Sequence, residues 1–386
     1  MLPTNAATDT EARVPAMGSP AEPRPAESSR WAVLRIALLE HLPLLLLVAA
    51  YVASVWTAEG FLGLANPLGN VGFGNAYFVW AVTVTGYLLV RLLWLRSRVR
   101  GPHGEWLRSA GAWRSALEEL RRQNLTFERL VTVALSTGAV VVLLRTYASW
   151  KPLITSVVPF RWDATFMRLD EQLHFGLHPW ALLQPVLGHA AVTLPMDLLY
   201  ALWHPVNCAV VIWLAWSARS YLRTRFLLAY ALAWILLGTL AATALSSAGP
   251  CYYALVVPGA DPYQPLLGYL HGLHATHGVI AVTIQQNLWA YYSGGSVLPV
   301  NGISAMPSVH VAAAVLFALV GWKVGRTAGI ALTAYAAVIL VGSIHLGWHY
   351  AVDGYASVVA MVLIWAVTGP LLRRYFVAVG LRGLVP

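Results

Sequence analysis

Charge is scarce in this chain. Asp, Glu, Lys and Arg make up 11% of its 386 residues, where a soluble domain carries about a quarter. An ordinary water-soluble globule is thereby excluded. Cysteine is scarcer still. Cys208 lies in an apolar run and Cys251 in a connecting stretch, and two such residues supply neither a disulfide framework nor a zinc-knuckle spacing. No cofactor motif and no dedicated metal motif is present, so the expectation is an enzyme without either. Acidic residues are few as well, 16 against 25 Lys and Arg, for a net charge of +9. In a soluble protein that excess would point to nucleic acid. Here the basic residues cluster between apolar runs, as cytoplasmic loops do, and no nucleic-acid partner is implied. There is no internal repeat of fixed period and no low-complexity tract beyond the first 30 residues.

What the chain does have is apolar length. It is 58% hydrophobic with a mean hydropathy of +0.63. A bilayer core takes about 20 mostly apolar residues per helix, and eight stretches qualify: 32–56, 75–95, 130–150, 194–216, 226–245, 305–322, 328–346 and 350–372. The expected fold is all-α, a polytopic membrane bundle of about eight transmembrane helices with short interfacial helices. The first stretch carries Arg35, Glu40 and His41 and is the least regular of the eight. Residues 1–30, rich in Ala, Pro, Ser and Glu, read as a disordered cytoplasmic tail rather than a signal peptide. Residues 31–124 read as N-terminal spans plus an amphipathic interfacial helix at 105–123, 125–375 as the catalytic membrane domain, and 376–386 as a second cytoplasmic tail. The segment from Lys151 to about Leu194 reads as an outer loop with one or two short helices, capped by Asp163. A second outer loop is expected at 246–304.

Orientation follows from the basic clusters. Arg91, Arg96, Arg98 and Arg100 follow the second stretch, and Arg219, Arg223 and Arg225 lie between the fourth and fifth. Lys323 and Arg326 separate the sixth and seventh, and Arg373 and Arg374 follow the eighth. If every stretch crosses once, all four clusters share one side, which the positive-inside rule makes cytoplasmic. Lys151, Arg161, Ser308, His310, His349 and Asp353 then face the periplasm, or an organelle lumen in a eukaryote.

Those six residues carry the chemistry. Pro307-Ser308-Val309-His310 sits at the start of an apolar stretch, where a Pro presets the backbone and unpaired first-turn N–H groups can hold a phosphate. Ser308 joins those amides, and His310 stands beside them as a proton carrier. About forty residues on, His349 and Asp353 are four apart. On a helix that spacing puts them on one face, one turn from each other. The carboxylate can fix one imidazole nitrogen as a donor and leave the other lone pair free to attack phosphorus.

These motifs resemble the type 2 phosphatidic acid phosphatase superfamily, whose second motif reads Pro-Ser-Gly-His and whose third has a His followed four residues later by Asp. Within it, the chain is similar to the inositol phosphorylceramide synthase branch. The strings that carry the likeness are Gly302-Ile-Ser-Ala-Met-Pro-Ser-Val-His310, Leu346-Gly-Trp-His349-Tyr-Ala-Val-Asp353-Gly, Ser247-Ala-Gly-Pro-Cys-Tyr-Tyr253 and Lys151-Pro-Leu-Ile, within about residues 125–370. The resemblance implies that His349 forms a phosphohistidine, Asp353 orients it, His310 protonates the leaving oxygen and Ser308 binds the phosphoryl group, with no metal. Val309 stands where the phosphatases have Gly. Gly342 and Ser343 stand where they have Ser and Arg, so a phosphate-binding cation is missing, as it is in the synthase branch. The first motif, Lys-x6-Arg-Pro, has no clean counterpart, and Lys151, Arg161 and Arg145 are the basic residues placed to substitute.

Rival readings are specific. His345, His349 and Asp353, at successive spacings of four, could ligate a metal from one helix face and make a metal-dependent membrane hydrolase. That reading leaves Ser308 and His310 unused. A non-catalytic lipid-binding or transport protein leaves His310, His349 and Asp353 all unused. His271, His274 and His277 fit a loop or headgroup contact better than a metal cluster. Asp197 and His204 either pair within the bundle or line the pocket. Arg161 and Asp163 fit a surface pair, the preferred reading for Asp163. The Trp residues near stretch ends fit an aromatic belt. The resulting expectation is a membrane enzyme that transfers or hydrolyses a phosphoryl-linked lipid headgroup at the outer leaflet, with a plain lipid phosphate phosphatase as the alternative and a lipid and the bilayer as its partners.

Overall fold

The computed structural model describes residues 30–62, 73–99, 110–294 and 302–386. The predicted tail up to residue 29, the first part of the predicted amphipathic segment (105–109) and Arg100 lie outside the described residues. The regular structure described is all helix: α1 Arg30–Leu62, α2 Phe73–Arg96, α3 Ala110–Asn124, α4 Phe127–Val157, α5 Asp163–Leu173, α6 Pro179–Leu187, α7 Ala190–Ala201, α8 Trp203–Ala215, α9 Ser220–Ala244, α10 Tyr253–Val256, α11 Gln264–His277, α12 Ile280–Tyr292, α13 Val309–Val324, α14 Arg326–His345 and α15 Ala351–Ala378. Among the described residues α1, α4, α9, α14 and α15 are long and apolar enough to cross a membrane, or six spans if α6 and α7, bent by 117°, count as one. The chain is a helical membrane protein.

The centre of the bundle is α13, whose Ala312, Ala313, Ala314, Leu316, Phe317 and Val320 are all buried. Small residues let neighbouring backbones approach where no hydrophobic force separates helix from lipid, and α14, α15 and α9 pack on it. The α1 helix packs along α4 and α9. Its polar residues are explained by partners. Glu40 accepts from the buried Arg223 guanidinium, and His41 meets Ser136 Oγ at 2.9 Å and its own turn at Ala37 O at 2.8 Å. Arg223, counted above as a loop cation, is therefore inside the bundle.

Three other expectations change. The stretch 194–216 is two helices, α7 and α8, meeting at Leu202. Lys151 does not open a loop, because α4 runs through Pro152 to Val157, as a Pro inside a packed membrane helix is permitted to do. The segment 246–304 is not a long loop; α10, α11 and α12 occupy most of it, and His271, His274 and His277 lie on α11. Short helices α5 and α6 do follow α4, as expected. The C-terminal ends of α4, α9 and α14 and the starts of α5, α13 and α15 meet at one end of the bundle, joined by the bonds described next.

Candidate active site

His349 precedes a helix instead of riding on one. The α14 helix ends at His345, and Gly347, with φ +73°, takes the left-handed turn that stops it. Gly347 N then bonds Ile344 O at 3.1 Å and Trp348 N bonds Ser343 O at 2.9 Å. This paired closure of a helix end favours Gly at the left-handed position. His349 N bonds the same Ser343 carbonyl at 3.1 Å, and α15 begins two residues later with Tyr350 as its N-cap. Asp353, third residue of α15, reaches back over the helix start. Its Oδ2 lies 3.3 Å from His349 Nδ1 and accepts from Tyr350 N at 3.0 Å. The expected His–Asp pair is present, but the geometry is that of a helix-capping acid, not of two residues on one helix face. Nδ1 is thereby engaged and Nε2 is the nitrogen left to react.

The second histidine loop also ends in a cap. Ser308, not Pro307, is adjacent to α13, and its buried Oγ accepts from Val311 N at 3.4 Å. The first backbone acceptor of the helix serves Ala312, so the Val309 and His310 amides have no bond among the described residues. The equivalent amides of α15 are occupied: Asp170 accepts from Ala351 N at 2.7 Å and Val352 N at 2.9 Å. Of the two helix starts, only that of α13 keeps amides free for an anion. His310 lies tilted against Trp203 and stacks on Tyr200, at centroid separations of 4.2 and 5.6 Å, and lies within electrostatic reach of His349, His204 and Lys151.

A third segment joins the two. Ser247 O accepts from Ala305 N at 2.9 Å, Ser247 Oγ accepts from Met306 N at 3.1 Å, and Cys251 N bonds Gly347 O at 2.9 Å. Gly249, at φ +99°, comes so close to Trp348 O that a Cβ there would collide with it and crowd Ala305. Asp163 fixes this segment. Its carboxylate accepts from Ala248 N at 3.0 Å, Gly249 N at 2.8 Å and Tyr350 Oη–H at 2.8 Å. Asp163 is therefore neither the cap of α5, which Trp162 precedes, nor one of a surface pair. It is buried while Arg161 is exposed.

The remaining candidates are more scattered. Lys151 packs beneath Gly302 at the head of the second histidine loop. Arg161 lines a shallow cavity with Phe160, Asp163, Ala164 and Pro258. Arg145 sits six residues before Lys151 in α4, about 9 Å deeper along the helix axis. His345 turns toward α7, where Nε2 meets Thr193 Oγ1 at 2.9 Å. Among the described residues no group of three His, Cys, Asp or Glu is placed to hold a metal ion, so the metal reading built on His345, His349 and Asp353 lacks its geometry. Asp197 does not pair with His204; it accepts from Ile280 N and Ala281 N at the start of α12. Asp163, Asp170 and Ser247 were not anticipated as site-building residues. A signal existed for the first two: they are seven apart, two turns on one face of a short helix, in a chain with few acids to spend.

A family model described as PAP2 superfamily matches residues 164–367. The match contains Ser308, His310, His349 and Asp353, and Lys151, Arg145 and Arg161 precede it. No curated protein and no solved structure matches the chain.

Burial pushes the Asp170 carboxyl up to about 6, with neighbouring Asp353 adding to the shift against two backbone donors that oppose it. The ordinary value is about 3.9, so between those values the folded chain holds a proton that the unfolded chain releases. Stability from this group is fully present at low pH and is lost as pH rises through about 6. The melting temperature of the wild type should therefore fall more, between about pH 4.5 and about pH 7, than that of Asp170→Asn. Equal falls would contradict the assignment.

Proposed function

Because the chain belongs to the PAP2 superfamily, which brings phosphatase or phosphotransferase chemistry in general, we propose that it moves the phosphoryl-linked headgroup of a membrane lipid through a phosphohistidine on His349. The observation that carries this reading is the His349 Nδ1 to Asp353 Oδ2 contact at 3.3 Å beside a helix start with free amides. His349 Nε2 attacks phosphorus, the bond from phosphorus to the leaving oxygen breaks, and His310 gives that oxygen a proton. In the second half, a hydroxyl attacks the phosphohistidine, His310 takes its proton, and the N–P bond breaks. Ser308, through the cap that shapes the α13 start, and Lys151 belong to the phosphate side of the site, with Arg161 and Arg145 as the more remote cations. An acid of this kind contributes roughly 10²–10⁴ in rate, and positioned donors stabilise the equatorial oxygens of the moving phosphoryl group.

The attacking hydroxyl sets the class. Water gives a lipid phosphatase; a lipid alcohol such as that of ceramide or diacylglycerol gives a transferase of the inositol phosphorylceramide synthase kind. The absent Arg at position 343 favours the transferase. Ser343 is fully buried and its hydroxyl turns back to Leu340 O at 2.8 Å. The labelled products formed from phosphatidylinositol or phosphatidic acid, with and without ceramide, separate the two. In either case His349→Ala should abolish turnover and Asp353→Asn should cut it by at least about a hundredfold, since the ring then loses the acceptor that fixes its tautomer. Wild-type turnover in folded His349→Ala protein would overturn the reading.

If all eight apolar stretches cross once, the basic clusters fall inside and this site lies at the outer leaflet, where a lipid would enter laterally with its headgroup in the aqueous loops. Gly294 follows α12 and Gly325 separates α13 from α14. In a background lacking Cys208 and Cys251, Gly294→Cys should react with an impermeant maleimide on intact cells and Gly325→Cys should not. The reverse pattern would move the chemistry to the cytoplasmic leaflet.

A further inference from the structure

Position 343 holds no cation: Ser343 is fully buried, and its carbonyl closes α14 while its hydroxyl serves Leu340. The charge of a bound phosphoryl group must be met from elsewhere. Trp203, the first residue of α8, donates from Nε1 to His310 O at 3.0 Å and so holds the start of α8 against the start of α13. The next residue is His204. Its ring stands edge-on to that of His310 at a centroid separation of 5.8 Å and edge-on to Trp203 at 5.1 Å. His204 is exposed on α8, and neither of its ring nitrogens has a hydrogen-bond partner among the described residues. Both His310 and Lys151 lie within its electrostatic reach. Two other bundle histidines are held by the chain itself: His41 by Ser136 and Ala37, and His345 through Nε2 by Thr193. An unpartnered ionisable side chain on an apolar helix is costly, and where one is kept it marks a substrate path.

We propose that His204 is a phosphate-binding catalytic residue, donating a ring N–H to a non-bridging oxygen of the phosphoryl group while His310 serves the leaving oxygen. The assignment rests on the function proposed above. Lys151, on α4, is a cation within its electrostatic reach, and His204 adds from α8 an N–H donor that position 343 does not supply. With their ring centroids 5.8 Å apart in edge contact, the two imidazoles can each donate to a different oxygen of one tetrahedral group lying beside the pair, at about 2.7–2.9 Å per charge-assisted bond. The indole of Trp203, anchored on the His310 carbonyl, fixes that separation. Among the described residues the His204 side chain bonds no other helix, which leaves both ring nitrogens available to the anion.

The test uses the purified full chain in detergent, with inorganic phosphate as the binding probe and phosphatidic acid as the turnover substrate. Calorimetric titration of phosphate should give a dissociation constant about tenfold or more higher in His204→Ala and in His204→Gln than in the wild type, the loss expected for one charge-assisted bond. Melting temperatures without phosphate should stay at the wild-type value. For turnover, KM should rise and kcat fall together. Phosphate binding at wild-type strength in both variants would overturn the proposal, and so would a wild type that binds no phosphate. If the wild type binds phosphate but turns over no lipid phosphate or phosphodiester, the enzymatic reading fails, while the binding titration still decides whether His204 holds the anion.

Discussion

The Asp163 carboxylate is the constraint on which the arrangement depends. It accepts from two amides of the Ser247–Cys251 segment and from the hydroxyl of Tyr350, the residue next to His349. That segment in turn accepts from Ala305 and Met306, just before Ser308. One buried acid on a short helix therefore ties two histidine loops that are about forty residues apart in the chain. Without it, the loop amides and the Tyr350 hydroxyl would be buried without partners, each at a cost of roughly 1–3 kcal/mol. The charged acceptor is the stronger kind of hydrogen-bond partner, and it fixes direction as well as energy.

The same economy recurs elsewhere. Asp170 caps α15, Asp197 caps α12 and Asp353 accepts from Tyr350 N and faces His349. In a chain this poor in charge, these three acids are spent on helix starts, where a carboxylate meets unpaired N–H groups and the positive end of the helix dipole. The start of α13 differs from that of α15. It is capped by a neutral hydroxyl, so its free amides keep their affinity for an anion that the chain does not supply. The distribution of acids thus separates the helix start that binds the chain's own carboxylate from the one open to substrate.

Much of this was legible in the sequence, and the failures have physical causes. The apolar stretches fall on helices, because the length of an apolar run is a one-dimensional signal, but among the described residues five helices, or six spans with the bent α6–α7 pair, are long and apolar enough to cross, and the stretch 194–216 breaks at Leu202. The His349 and Asp353 spacing identified the pair but misplaced it on a helix face, since spacing alone does not distinguish a helix interior from a capping turn. The Gly347 in Leu346-Gly-Trp was the available clue to that turn. The outer segment 246–304 looked like loop because its Gly, Pro and His residues obscure periodicity, yet α11 and α12 form there, with Asp197 supplying the distant cap of α12. Asp163 looked like a surface residue because its partners, Ala248, Gly249 and Tyr350, are 85 or more positions away. Contacts of that range leave no local pattern. Glu40 and His41 looked out of place in a membrane helix for the same reason, their partners being Arg223 and Ser136.

The central claim is that His349 carries the phosphoryl group, and it is tested most directly by trapping. Purified protein mixed with a phosphate-labelled lipid substrate and quenched in alkali within one turnover should retain label on the protein. That label should survive base and be released by acid, as a phosphoramidate is, and it should map to the peptide containing His349. Label that maps to another residue, or turnover with no protein-bound label at any time, would contradict the account.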